Sequence, residues 1–151
     1  MNIMAPNPGF KQQVAEFGEH ALRGGAGGSL TSTTTVVLGI PRFKGRISNA
    51  YMSVGASGKD DANALSVELD VQINGTTAFT TKPKIEHVSG EASQHKTTLN
   101  DDDTGVTLGV LASAITYSPG DVITGIFTLV QTSSPTTEIS NPAAVVELMP
   151  D

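Results

Sequence analysis

The sequence predicts an all-β protein, an antiparallel β-sandwich with a short helical arm in front of it. Val, Ile and Thr are plentiful, and β-branched side chains suit pleated strands better than helices. From Thr31 onward, apolar and polar residues alternate, and turn-forming residues recur at intervals typical of sandwiches and barrels. A chain of 151 residues can form one domain with its own core. We therefore divide it into an arm, residues 1–29, and a sandwich domain, residues 30–151.

The arm contains the one helix that the sequence predicts, over about residues 8–23. Asn7 can cap this helix and Pro8 suits its first turn. Its apolar residues recur at helical spacing and form one stripe: Phe10, Val14, Phe17, Ala21 and Leu22. A helix this short is marginal without tertiary contacts, so we expect the stripe to bind another chain or, alternatively, to fold back on its own domain. The Gly-rich residues 24–29 predict a flexible tether behind it.

Seven strands are predicted after the arm. They lie near residues 33–40, 45–55, 64–73, 77–85, 105–115, 121–132 and 142–149, with a possible eighth within 86–99. In the third strand, Leu65, Val67, Leu69, Val71 and Ile73 alternate with Ser66, Glu68, Asp70 and Gln72, which predicts one buried face and one wet face. Asn74-Gly75 predicts a type I′ hairpin turn after it. Because Pro83 lacks an amide donor, the next strand should lie at an edge or end there.

The strand near 121–132 is apolar on both faces. Ile123, Phe127 and Leu129 alternate with Val122, Ile126 and Val130. The outward face of a strand in a two-layer sandwich is normally wet, so the second set predicts cover by a neighbouring subunit or by the arm. We take Val122, Ile126 and Val130 as subunit-interface candidates; the alternative is a central strand under a long loop.

Composition excludes several classes of partner. A formal net charge of −6, with only nine basic residues, argues against nucleic-acid binding, which depends on Lys and Arg. No apolar stretch approaches the roughly 20 residues that span a bilayer, and the N-terminus shows no secretory signal. The chain has no cysteine, which removes disulfides and thiolate ligands together.

The sequence shows no recognisable motif for catalysis, metal binding or nucleotide binding. The three histidines, His20, His87 and His95, have no metal-ligand spacing, so we expect solvated surface positions for them. HExxH, GxSxG and P-loop motifs do not occur. We therefore predict no catalytic, cofactor-binding or metal-binding residues, no small-molecule substrate, and a protein that is not an enzyme.

Two acidic loops are likewise interpreted as surface loops without a catalytic or metal-binding role. Asp101 and Asp103, in the stretch 99–105, offer hard oxygen ligands on a turn, but the spacing departs from a calcium-binding EF-hand loop. A solvated acidic turn is favoured over a cation site or a catalytic carboxylate pair. In the stretch 58–61, Lys59 is expected to offset the two aspartates that follow it.

Four stretches of the predicted sandwich share a recognisable pattern: "GRISNAYMSVG" at 45–55, "VELDVQINGTTAFTTKPKI" at 67–85, "YSPGDVITGIFTLV" at 117–130 and the closing "AAVVELMP". Together they resemble the β-sandwich or jelly-roll modules common in tailed-bacteriophage virion proteins. In those modules a strand ending in "D-V-x-x-N-G" turns into a strand ending near "P-x-I", and a "G-D-V/L" turn starts a later core strand. The similarity covers about residues 45–149 and implies a jelly-roll-like sandwich.

A free-standing module with a short arm resembles a head decoration, or cement, protein. That resemblance implies a homotrimer on the outer capsid surface of the virion that binds across major capsid protein boundaries and stabilises the shell. It supplies no catalytic residues, and the role of the arm is our own inference. The alternative is a fibre-tip or receptor-binding module that recognises a host glycan or protein.

Overall fold

The computed structural model describes residues 21–151, and every regular element in this part of the chain is a β-strand. In chain order the strands are β1 (Ala21–Gly25), β2 (Thr34–Gly39), β3 (Gly45–Val54), β4 (Leu65–Ile73), β5 (Thr76–Thr77), β6 (Phe79–Thr81), β7 (Lys84–Glu86), β8 (Lys96–Thr97), β9 (Val106–Thr107), β10 (Val110–Leu111), β11 (Thr116–Tyr117), β12 (Ile123–Gln131) and β13 (Ala143–Pro150). The prediction of an all-β protein is confirmed.

The strands form two antiparallel sheets that enclose one hydrophobic core. The first sheet has the order β1, β13, β3, β11, with β8 also paired to β3. The second has the order β2, β12, β4, β7, β9, with β5 paired to β4. A separate ladder joins β6 to β10. The predicted antiparallel sandwich is therefore confirmed.

Consecutive long strands alternate between the two sheets of the sandwich. β1 and β3 lie in the first sheet, and β2 and β4 lie in the second. Near the end of the chain, β12 enters the second sheet between β2 and β4, and β13 enters the first between β1 and β3. The centre of each sheet is thus completed only by strands from the last part of the chain.

Strand β1 corrects the prediction for the end of the arm. The sequence predicts Ala21 and Leu22 on a helix, but both lie in β1, where they pair with Glu147 and Val146 of β13. The earlier residues of that helix, including Phe10, Val14 and Phe17, lie outside the described residues.

The Gly-rich stretch is also part of the sandwich, which corrects its interpretation as a tether. Gly24 and Gly25 are the last residues of β1. Beyond them, the amide of Ala26 donates to the carbonyl of Pro142, and the amide of buried Leu30 donates to Ile139. Residues 21–29 are therefore part of the sandwich, which the sequence predicts to begin at residue 30.

Close packing between the sheets explains the glycines near β1. A Cβ at Gly39 would lie 2.8 Å from Cδ2 of Leu22, and a Cβ at Gly24 would lie 2.8 Å from Cδ2 of Leu38. Each glycine leaves room for a leucine of the opposite sheet. Tertiary packing of Leu22 and pairing with β13 thus outweigh the local helical pattern, which is a weak preference.

The β4 hairpin agrees with the sequence in its core face and its turn. Leu65, Val67, Leu69 and Val71 are buried and Ile73 is partly buried, while Asn74 and Gly75 have φ of 49° and 84°, as a type I′ turn requires. The predicted exposure of the opposite, polar face of β4 to solvent is only partly confirmed. Ser66 and Asp70 are buried, and Asp70 is covered by contacts from Thr77, Gln72 and Lys82.

Two of the predicted strands are interrupted. The stretch 77–85 divides into three short strands, and Pro83 lies between the last two. The stretch 105–115 contains only β9 and β10, while β11 follows it. The possible eighth strand within 86–99 exists as the two residues of β8.

Candidate binding surface

The outer face of the second sheet carries two of the three interface candidates. Ile126 and Val130 lie on β12, opposite in direction to buried Ile123 and Phe127. Val130 is 47 % exposed and Ile126 is half-buried. Val122 precedes the strand, where its amide donates to Oδ1 of Asn74 and its carbonyl accepts from the Asn74 amide.

Strand β2 extends the same face to the edge of the sheet. Val37 is 65 % exposed and pairs with Thr124, and Thr35 pairs with Ile126. We call this surface the uncharged face; its members are Thr35, Val37, Thr124, Ile126, Thr128 and Val130. Val37 is not among the interface residues predicted from the sequence, although the adjacent pair Val36-Val37 places one valine on each side of the strand.

The other half of the outer face is charged. Lys82 lies 3.8 Å from Glu68 and 3.4 Å from Asp70, and Lys84 lies 2.5 Å from Glu86. The border runs along β4, because Ile126 pairs with Asp70 on that strand. The face therefore combines an apolar, threonine-rich half with a half of paired charges.

His87 is buried, which corrects the prediction of a solvated position. Its side chain is 2 % exposed, and Nε2 lies 2.9 Å from Oδ1 of Asp61, which also accepts from the Gly90 amide. Both hydrogen bonds lower the pKa of Asp61, and the one from the Gly90 amide has the larger effect. His95 is exposed, as expected.

The loop 58–61 is more ordered than a solvated acidic turn. Lys59 lies 3.6 Å from Asp61, in agreement with the predicted charge offset. Asp60 is buried instead, and its Oδ1 accepts from the amides of Ala62 and Asn63. The carboxylate thus closes the turn that leads into β4.

Lys96 was not singled out by sequence analysis, yet its side chain is 0 % exposed. Its Nζ donates to Oε2 of Glu91 at 2.7 Å and to the carbonyl of Thr104 at 2.6 Å. The Thr104 hydroxyl donates to the other oxygen of Glu91. Lys96 therefore ties the two ends of the connection between β7 and β9 together; a lone lysine in a polar stretch gives no sequence signal for this.

No group of three or more His, Asp or Glu side chains that could hold a metal ion occurs within residues 21–151. Asp101 and Asp103 are exposed. A shallow cleft elsewhere is lined by apolar and threonine side chains, none of which ionises: Ile73, Thr76, Thr77, Ala114, Ile115 and Thr116. Within the described part of the chain, the uncharged face is the surface that holds the predicted interface residues Ile126 and Val130.

Comparisons with protein-family models, with curated proteins and with solved structures gave no match. Across residues 21–151 there is also no helix long and apolar enough to cross a membrane.

Proposed function

We propose that the protein is a virion structural protein, a capsid decoration protein that binds the outer capsid surface across major capsid protein boundaries and stabilises the shell. The observation that carries the proposal is the uncharged face, on which Val37 and Val130 are 65 % and 47 % exposed. Apolar surface of this kind, bordered by polar residues, is typical of protein interaction sites.

The proposal assigns different roles to two parts of the chain. The uncharged face joins copies of the protein into a homotrimer, with Ile126 and Val130 at the contact. Residues Phe10, Val14 and Phe17 bind the major capsid protein. Several weak contacts on one assembly act together, because each bound arm holds the others at high local concentration.

The test is cosedimentation of the purified protein with undecorated phage shells, alongside sedimentation of the protein alone. We expect the full chain to load onto shells and the version comprising residues 21–151 to lose loading. Val130→Lys should weaken self-association, whereas Val110→Lys, at a site that is 53 % exposed on β10, should not.

Undiminished loading of residues 21–151 would contradict the role of the arm. Absence of loading by the full chain, with binding to host cells instead, would replace the proposal with a receptor-binding role.

A further inference from the structure

The end of the sandwich at which β1 begins carries a group of exposed apolar and basic residues. Ala21 pairs with Glu147, so the N-terminal end of β1 lies on the side where β13 ends. Met149, near that end, is 45 % exposed, and the amide of Asp151 donates to the carbonyl of Lys44. The connection between β2 and β3 therefore lies at the same end of the sandwich as Ala21, the first described residue.

That connection exposes two large apolar side chains. Ile40 is 57 % exposed and Phe43 is 50 % exposed. Ile40 follows Gly39, whose missing side chain makes room for Leu22 of β1. We call this region the end surface and define it by Ile40, Phe43, Lys44, Arg46 and Met149.

The end surface is also rich in positive charge. Arg42, Lys44 and Arg46 supply three of the nine basic residues of a chain whose net charge is −6. Lys44 and Arg46 are exposed, and Nη2 of Arg46 contacts the sulfur of Met149 at 3.0 Å. Asp151 and Asp121, whose neighbour Gly120 donates its amide to the carbonyl of Pro41, add two negative charges at this end, so the three basic groups remain in the majority.

Residues 16–20 have the complementary pattern. Their sequence is "EFGEH", in which Glu16 and Glu19 flank Phe17, as Arg42 and Lys44 flank Phe43. Phe17 is four residues before Ala21, and four residues reach at most about 14 Å. A short tether of this kind gives an effective concentration in the millimolar range, which makes even a weak contact persistent.

We propose that residues 1–20 dock on the end surface of their own chain, with Phe17 against Ile40 and Phe43 and with Glu16 and Glu19 toward Lys44 and Arg46. In the free protein Phe17 is then covered by the sandwich. Binding to any partner through Phe17 must displace this contact, so the apparent affinity is the intrinsic affinity multiplied by the fraction of molecules in which Phe17 is undocked.

The chain has no tryptophan, so Phe17→Trp introduces a single tryptophan at the docking residue, whose emission can be excited apart from that of the two tyrosines. In the full chain we expect emission shifted to the blue, as for a tryptophan out of water. Phe43→Ser or Ile40→Ser should shift the emission to the red, and so should Glu16→Lys combined with Glu19→Lys. Val110→Ser is the matched control, because Val110 is 53 % exposed, and it should leave the spectrum unchanged.

Three outcomes overturn the proposal: water-like emission in the full chain, a blue shift that survives both Phe43→Ser and Ile40→Ser, and a blue shift that disappears on dilution together with the mass of an oligomer. The last would place the arm on a second copy. Since no shell is used, failure here is distinct from failure of the proposed decoration function.

Discussion

Lys96 is the residue at which a buried charge matters most. Its ammonium group has no exposure to water, whereas the side chain of its partner Glu91 is 24 % exposed. Replacing either residue breaks the ion pair but leaves a different charge behind. Breaking a buried pair by removing one partner typically costs about 3–5 kcal/mol, because the remaining charge is uncompensated.

We expect Glu91→Gln to reduce the free energy of unfolding by more than Lys96→Met. Glu91→Gln leaves the enclosed ammonium group without a counter-charge, so its loss should lie within about 3–5 kcal/mol. Lys96→Met leaves a carboxylate that water can reach, so its loss should lie near or below the lower value. Urea unfolding at neutral pH measures both. An equal or larger loss for Lys96→Met would contradict the assignment of the ammonium as the enclosed charge.

Asp61 should make stability depend on pH in the acid range. Hydrogen bonds from Gly90 and His87 hold the pKa of Asp61 below its ordinary value of 3.8. The folded state therefore binds the proton less readily than the unfolded chain, so the stabilisation is fully present above the unfolded pKa. It is lost as pH falls through the lower, folded pKa.

Asp61→Asn should remove this part of the acid dependence, seen as a flatter plot of urea midpoint against pH below about 4. Asp121 offers an independent comparison, because hydrogen bonds from the Ser118 amide and the Asn74 side chain lower its pKa as well. The two sites share no partner, so the effects of Asp61→Asn and Asp121→Asn should add. An unchanged acid transition in the double variant would rule out this origin of acid sensitivity.

At the scale of elements, the packing of β1 on β2 can be tested through Gly39. Gly39→Ala places a Cβ 2.8 Å from the end of the Leu22 side chain. Overpacking of this kind costs about 1–3 kcal/mol. Leu22→Ala removes the clashing group, so the double variant should lose less stability than the sum of the single losses.

Unfolding of the two single variants and the double variant in urea gives the coupling energy directly. Gly27→Ala is the control, because nothing lies within 4 Å of a Cβ there and φ is not positive. Strict additivity of Gly39→Ala and Leu22→Ala would mean that β1 does not pack on β2 as described.

The strands that the sequence predicts well are those whose periodicity agrees with their place in the sheet. β4 alternates strictly, and its Asn74-Gly75 turn follows from the positive φ that both residues tolerate. The burial of Asp70 could not be predicted, because it depends on contacts with Thr77 and Lys82. These two residues lie in the interrupted stretch of short strands after the turn, and periodicity does not show where that stretch runs. β1 was missed because its five residues acquire their strand conformation from β13, at the other end of the sequence.

The same distinction holds for the binding surface. Ile126 and Val130 could be assigned to one face from alternation on β12 alone. Val37 joins them only because β2 pairs with β12, and neighbouring strands in the sheet cannot be read from periodicity. Local pattern thus predicts which side of a strand is apolar, but only the fold determines which strands combine into one surface.

At the scale of the whole molecule, the boundary between arm and sandwich decides how the chain can be shortened. The sequence predicts this boundary after residue 29, so that removal of residues 1–28 would leave an intact domain. The structure places β1 within that segment, paired along its whole length with β13. A correct truncation must therefore keep Ala21–Gly25.

We expect residues 21–151 and residues 29–151 to behave differently. The first version retains both edges of the sandwich and should keep a β-type circular-dichroism spectrum and one cooperative unfolding transition. The second loses the burial of Leu22, about 1.5–3 kcal/mol, and several strand hydrogen bonds at about 0.5–1.5 kcal/mol each. Since whole domains are stable by only about 5–15 kcal/mol, the shorter version should unfold at much lower urea concentration and expose β13 as an unpaired edge prone to association. Equal urea midpoints for the two versions would mean that β1 is dispensable, and shell-loading experiments could then use either one.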